Sequence, residues 1–138
     1  MTNILIADDH DLVRDTIAAY LETVDSFKVF TAHDLASALE VMSGVDSIDL
    51  LILDYNMPGM NGLQGLERAC TSYPATKVAL MSGVANREIA NNAMERHARG
   101  FIPKSLSATS FINAIKFILS GERYLPFDLV SSAPASKN

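Results

Sequence analysis

The chain has 138 residues, 49% hydrophobic and 20% charged, a balance that excludes an intrinsically disordered protein and suffices for the core of one domain. Sixteen acidic residues against eleven basic ones leave a net charge of −5, so the surface as a whole repels nucleic acid and anionic lipid. A single cysteine, Cys70, excludes an internal disulfide, and no apolar run has the length of a signal peptide or a bilayer span, so a reduced, cytoplasmic, single-domain chain is expected.

Short apolar runs alternate with longer amphipathic ones. Residues 3–8 (NILIAD) form an apolar strand run that ends in a carboxylate. Residues 11–24 then carry Leu12, Val13, Ile17, Leu21 and Val24 at helical spacing. FKVFTA (27–32) reads as a strand from its β-branched and aromatic residues. A helix over 34–43 follows, with Asp34 as N-cap and Gly44 as C-terminal stop. DLLILD (49–54) is the most apolar strand run and also closes on a carboxylate. After a Pro/Gly loop come a helix over 62–73, a strand over 77–82 and a helix over 86–98. GFIP (100–103) is a short fifth strand and 107–120 a fifth helix.

Five strand-then-helix units with near-continuous apolar strands predict a doubly wound α/β fold, a parallel sheet covered on both faces by helices. Ligands of such sheets bind beyond the carboxyl ends of the strands. The polar residues at those ends are Asp8 and Asp9, Asp54, Ser82 and, just past the fifth strand, Lys104. With the first and third strands adjacent, three carboxylates converge. Two unit charges 4 Å apart repel by about 4 kcal/mol at an effective dielectric of 20, so a cation must neutralise them. Lys104 supplies one charge. An all-oxygen ligand set with no His or Cys nearby selects Mg²⁺ (or Mn²⁺) over zinc for the remainder.

These groups suit phosphoryl transfer to a carboxylate. Asp54, alone at the end of the central strand, is the expected nucleophile. Asp8 and Asp9 are placed to hold the metal, and the backbone carbonyl of Asn56 can add an oxygen ligand. Lys104 and the Ser82 hydroxyl can neutralise phosphoryl oxygens.

Four motifs, IADDH (6–10), LLILDYNMPGMNG (50–62), ALMSG (79–83) and GFIPKS (100–105), resemble the receiver domains of two-component response regulators over roughly residues 3–121. The resemblance implies a flavodoxin-like (βα)₅ fold with strand order 2-1-3-4-5. It implies phosphorylation of Asp54 by a sensor histidine kinase, and Mg²⁺ on Asp9, Asp54 and the Asn56 carbonyl with Asp8 hydrogen-bonded nearby. Ser82 and Lys104 would contact the phosphoryl oxygens. It also implies a switch in which Ser82 moves toward the phosphoryl group and Phe101, three residues before Lys104, turns inward. Many relatives carry Tyr there, whereas Phe101 has no hydroxyl to bond.

DDHDLVR (8–14) and SGERYLP (120–126) further resemble the LuxR/NarL type, in which a helix-turn-helix DNA-binding domain follows the receiver. Asp11 stands where relatives often have Pro. The expected organisation is a receiver over 1–122 and a linker tail over 123–138, with DNA reached only through an effector domain not in this chain. Homodimerisation is expected through the first and fifth helices or through the face of the fourth helix, fifth strand and fifth helix.

Two other readings share these residues. A haloacid-dehalogenase-like phosphohydrolase would need an acid two positions after its nucleophile, where this chain has Asn56. A degenerate interaction module would not need the acidic pair, Asp54, Ser82 and Lys104 intact. The chain is therefore expected to label itself once rather than turn over a substrate. Apolar Val84, with Asn56 beside the path of an attacking water, predicts slow loss of the label. Residues 96–99 (RHAR), His10 and His33 read as surface or capping residues.

Overall fold

The computed structural model describes residues 1–84 and 86–126. It contains β1 (Thr2–Ala7), α1 (Asp11–Glu22), β2 (Phe27–Ala32), α2 (Leu35–Gly44), β3 (Leu50–Asp54), α3 (Gln64–Ser72), β4 (Lys77–Ser82), α4 (Arg87–Glu95), β5 (Gly100–Pro103) and α5 (Ala108–Leu119). β2, β4 and β5 coincide with their predicted runs. α1, α3, α4 and α5 are shorter than expected by one to three residues at one or both ends, and α2 keeps its length but is shifted by one residue, so that Gly44 is its last residue and Val45 its C-cap. Asp34 caps α2 by accepting from the Ser37 backbone N–H, while the Ser37 hydroxyl accepts from the Asp34 N–H, a reciprocal capping box. Asn86 and Ser107 cap α4 and α5 in the same sense.

All five strands are parallel, in the order β2-β1-β3-β4-β5. Side chains alternate across the sheet, so each strand feeds two cores. Leu5, Leu51, Leu53, Leu80 and Phe101 face α2, α3 and α4. Ile4, Ile6, Leu50, Ile52, Met81 and Ile102 face α1 and α5. Burial on both faces accounts for the near-continuous apolar strands. β1 and β3 are neighbours, in register from Ile4 opposite Leu50 to Ala7 opposite Leu53, so both chains leave the sheet at one edge. Reversal of strand order between β1 and β3 opens the crevice there.

The loop after β3 is a type II turn. Gly59 has φ +91°, and the Met60 N–H donates to the Met57 carbonyl at 3.2 Å across Pro58-Gly59. The Leu35 N–H donates to the Pro58 carbonyl, anchoring this loop on the start of α2.

The chain beyond α5 departs from expectation. Residues 123–125, expected to open the linker, are held against the domain. The Tyr124 N–H donates to the Arg99 carbonyl at 2.9 Å, and the Phe101 N–H donates to the Tyr124 carbonyl at 3.0 Å. Arg123 donates to the carbonyls of Met94 and Ala98 at the end of α4. The free edge of β5 has unpaired backbone groups, and this short segment satisfies them. The rest of the expected linker, from residue 127 onward, lies outside the described residues. Among the described residues no helix is long and apolar enough to cross a membrane.

Candidate functional site

β1, β3 and β4 end along one edge of the sheet, and the carboxylates that close β1 and β3 meet at Lys104. Asp8, Asp54 and Ser82 are the buried polar or charged residues among those described, each at most 2% exposed. Asp8 follows β1 directly. Its backbone N–H donates to the Ala32 carbonyl, and its Oδ1 accepts the His10 backbone N–H at 2.9 Å. Lys104 follows β5, its own N–H bonded to the Ser82 carbonyl at 2.9 Å. Its ammonium lies 2.9 Å from Asp8 Oδ2 and 3.2 Å from Asp54 Oδ1. One lysine thus serves two buried carboxylates.

The second oxygen of Asp54, Oδ2, is buried and has no hydrogen-bond partner. Burial, then the neighbouring charge of Asp8, pushes the Asp54 carboxyl above the usual range, and Lys104 offsets this only in part. Asp8 goes the other way. Burial raises it, but the His10 N–H, the Lys104 ammonium and the His10 ring outweigh burial and hold it below the usual range. Two adjacent carboxylates sharing one cation separate in this way, the better hydrogen-bonded one being the stronger acid.

Asp9 is partly exposed at the mouth. One ligand atom from each of Asp8, Asp9, His10 and Asp54 lies within 4.8 Å of the others. His10 overturns the expectation of an all-oxygen set with no His nearby. Its Nδ1 is 3.1 Å from Asp8 Oδ1, 3.3 Å from Asp9 Oδ1 and 3.9 Å from Asp54 Oδ2. The cause is local. His10 is the N-cap residue of α1 with extended backbone (φ −90°, ψ 99°), and it does not cap the helix with its side chain. The ring instead faces the carboxylates that precede it. Adjacency to Asp8 and Asp9 in IADDH is the signal that the sequence carries for this placement.

The remaining expected residues fall as follows. The Ser82 hydroxyl is engaged with the next loop, at 3.1 Å from both the Val84 carbonyl and the Val84 N–H. Asn56 is exposed two residues beyond Asp54. Val84 is exposed at 62%. Phe101 is fully buried with Leu80 and Ala90 in the core beneath α4. Its ring already lies inside the fold, where an apolar ring with no hydroxyl is most stable. His33 lies away from the cluster, 3.6 Å from Asp34. Arg96, His97 and Arg99 border a separate groove of about 640 Å³ near the opposite end of β4, where Arg96 faces Glu67 at 3.6 Å, while Ala98 is buried.

The family description "Response regulator receiver domain" matches residues 4–116. The chain belongs to that family. Among curated relatives, this receiver is 39% identical to the glycerol metabolism activator of Pseudomonas putida, over 94% of this chain and 59% of that protein. It is 26% identical to the response regulator UvrY of Escherichia coli K12, over 99% of this chain and 63% of that protein. The receiver therefore spans about three-fifths of the length of these relatives. Among solved structures it superposes on a LuxR family DNA-binding response regulator from Silicibacter pomeroyi, with TM-score 0.82, 35% identity and coverage of 93% of this chain and 99% of that one. A receiver domain protein from Clostridium thermocellum gives TM-score 0.78 at 26% identity, over 88% of this chain and 96% of that one. Receiver domains hold Mg²⁺ in an acidic pocket, and the carboxylates gathered here form such a pocket. A buried carboxylate oxygen with no hydrogen bond fits a cation ligand, because leaving it without a partner costs free energy.

Proposed function

We propose that the receiver accepts a phosphoryl group on Asp54 from a phosphohistidine of a sensor kinase and controls transcription through an effector domain. One observation carries this reading: Asp54 is buried with one oxygen on Lys104 and the other without a hydrogen bond. Lys104 orients the carboxylate, and one Asp54 oxygen attacks phosphorus while the other remains for the cation. The new bond is from that Asp54 oxygen to phosphorus. The P–N bond of the donor breaks, and its electron pair returns to the donor imidazole. Lys104 can then pair with a phosphoryl oxygen, since its ammonium already borders the site. Asp9, Asp54 and the Asn56 carbonyl would hold Mg²⁺, with Asp8 beside them, and the ion would neutralise charge on the transferring group.

The switch follows from the Ser82 hydroxyl. In this structure it is tied to Val84; a phosphoryl oxygen on Asp54 competes for that hydroxyl, and the loop after β4 is released. Phe101 is buried already, so the first change is in the Ser82–Val84 loop, and Phe101 follows by repacking beneath α4. Val84 offers no side-chain hydrogen bond to an attacking water, which supports slow self-dephosphorylation.

Acetyl phosphate with Mg²⁺ tests the reading. The expected product carries one phosphoryl group per chain, alkali-labile, and none in Asp54→Ala. Labelling that persists in Asp54→Ala would overturn the assignment. Continuous turnover of acetyl phosphate, with the rate of an enzyme, would overturn the signalling role.

A further inference from the structure

His10 is the side chain of this cluster that the proposed chemistry does not use. Its Nδ1 stands 3.1, 3.3 and 3.9 Å from oxygens of Asp8, Asp9 and Asp54, respectively. These spacings match those of donors around one small ion. Donors on adjacent vertices of an octahedral ion bound at about 2.1 Å are about 3 Å apart, and those on opposite vertices about 4.2 Å. Without an ion the 3.1 Å contact to Asp8 is a hydrogen bond, and the ring and the carboxylates stand close enough together for one ion to replace it. Asp54 supplies a second, independent sign of a missing partner: it is 1% exposed, and its Oδ2, the oxygen nearest the ring, has no hydrogen bond.

We infer that His10 contributes Nδ1 as a nitrogen ligand to the divalent ion of this site, making it a mixed nitrogen–oxygen site. The inference rests on the cation site of the proposed function and names one more ligand for it. On binding, the ion takes the place of any proton on Nδ1, and the other ring nitrogen carries the N–H, which water can satisfy because 61% of the side chain is exposed. Imidazole is a good ligand for later first-row metals and a poor one for Mg²⁺. His10 therefore shifts the selectivity of the site toward Co²⁺ relative to Mg²⁺, compared with carboxylates alone.

The test uses the whole chain near neutral pH without phosphoryl donor. Mn²⁺ bound to the wild type is examined by electron spin-echo envelope modulation for coupling to ¹⁴N. Calorimetry gives Mg²⁺ and Co²⁺ affinities for wild type, His10→Ala and His10→Gln. The expected result is ¹⁴N modulation in the wild type that is lost in both variants. Co²⁺ affinity should fall about tenfold or more in both variants while Mg²⁺ affinity changes by less than about threefold. Asp54→Ala should weaken all three metals, which separates this site from surface histidines. Bound Mn²⁺ without ¹⁴N modulation, or equal losses of Mg²⁺ and Co²⁺ affinity, overturns the inference and leaves the cation site standing. Failure of the wild type to bind Mn²⁺, or binding insensitive to Asp54→Ala, overturns both.

Discussion

Replacing Lys104 by Met, which keeps most of the apolar stem and removes the charge, is the most informative single perturbation of the fold. The ammonium lies 2.9 Å from Asp8 and 3.2 Å from Asp54, contacts worth about 6 and about 5 kcal/mol in gross Coulomb energy at an effective dielectric of 20. The ligand oxygens of those two carboxylates are at most 4.8 Å apart, a repulsion of about 3.5 kcal/mol or more on the same scale. The cost of burying the lysine is recovered in the variant, and Asp54 can take up a proton. Breaking a buried pair in this way leaves a net loss of about 3–5 kcal/mol. Asp54 gives that loss a pH signature. Its carboxyl is already raised by burial and by Asp8, and it rises further without the ammonium. An acid whose folded value exceeds its unfolded value of about 3.9 leaves stability intact below that value and removes it as pH rises through the folded value. Urea denaturation in EDTA should therefore show the full deficit near pH 7 and a narrowing gap toward about pH 4. Adding Asp54→Asn to Lys104→Met should restore part of the loss. A deficit below about 1 kcal/mol at neutral pH, or one independent of pH, would refute the view that the lysine holds two buried charges in place.

Mg²⁺ should stabilise the metal-free wild type, by about 2.7 kcal/mol at a hundredfold excess over Kd, and thermal melts should show this gain much reduced in Asp54→Asn. In metal-free buffer Asp54→Asn should itself be more stable than wild type near neutral pH, because ionised Asp54 opposes folding there; denaturant midpoints at constant m-value check this. Asp34 has the opposite sign. The Ser37 N–H and hydroxyl at its cap hold it below the usual range, so its contribution is present above the unfolded value and lost as pH falls through the lower folded one. Asp34→Ala should flatten the acid limb of the stability profile below about pH 4, as followed by circular dichroism. Gly65→Ala should cost about 1–3 kcal/mol in denaturant melts, because the added Cβ would lie 2.6 Å from Met60 Sδ and 2.8 Å from the Met60 Cα.

The fold was largely legible in the sequence because local and global signals agree. NILIAD, LLILD and KVALMS are short, nearly continuous apolar runs, and their length and flanking turn residues mark them as strands covered on two sides. Asp34, Asn86 and Ser107 begin helices where their side chains can accept backbone N–H groups. That Asp8, Asp9, Asp54, Ser82 and Lys104 lie along one edge was legible because a parallel sheet presents the ends of its strands there, and each of these closes or follows a strand. Rotamers and edge pairing were not legible. Nothing in the order of residues says that the His10 ring faces the carboxylates rather than solvent, that Ser82 is bonded to Val84, or that Phe101 is already buried.

The alternation of apolar runs and helical periods determined, without coordinates, that this chain is a doubly wound sheet with an acidic edge. Periodicity is a local property, set by backbone geometry every two or 3.6 residues. Only the tertiary structure decided that one lysine is shared by two carboxylates, that one oxygen of Asp54 is left without a partner, and that Arg123 and Tyr124 hold the exit segment against α4 and β5. Those outcomes depend on distances of about 3 Å between groups far apart in the chain, and at that range a rotamer change of one side chain makes or removes a hydrogen bond.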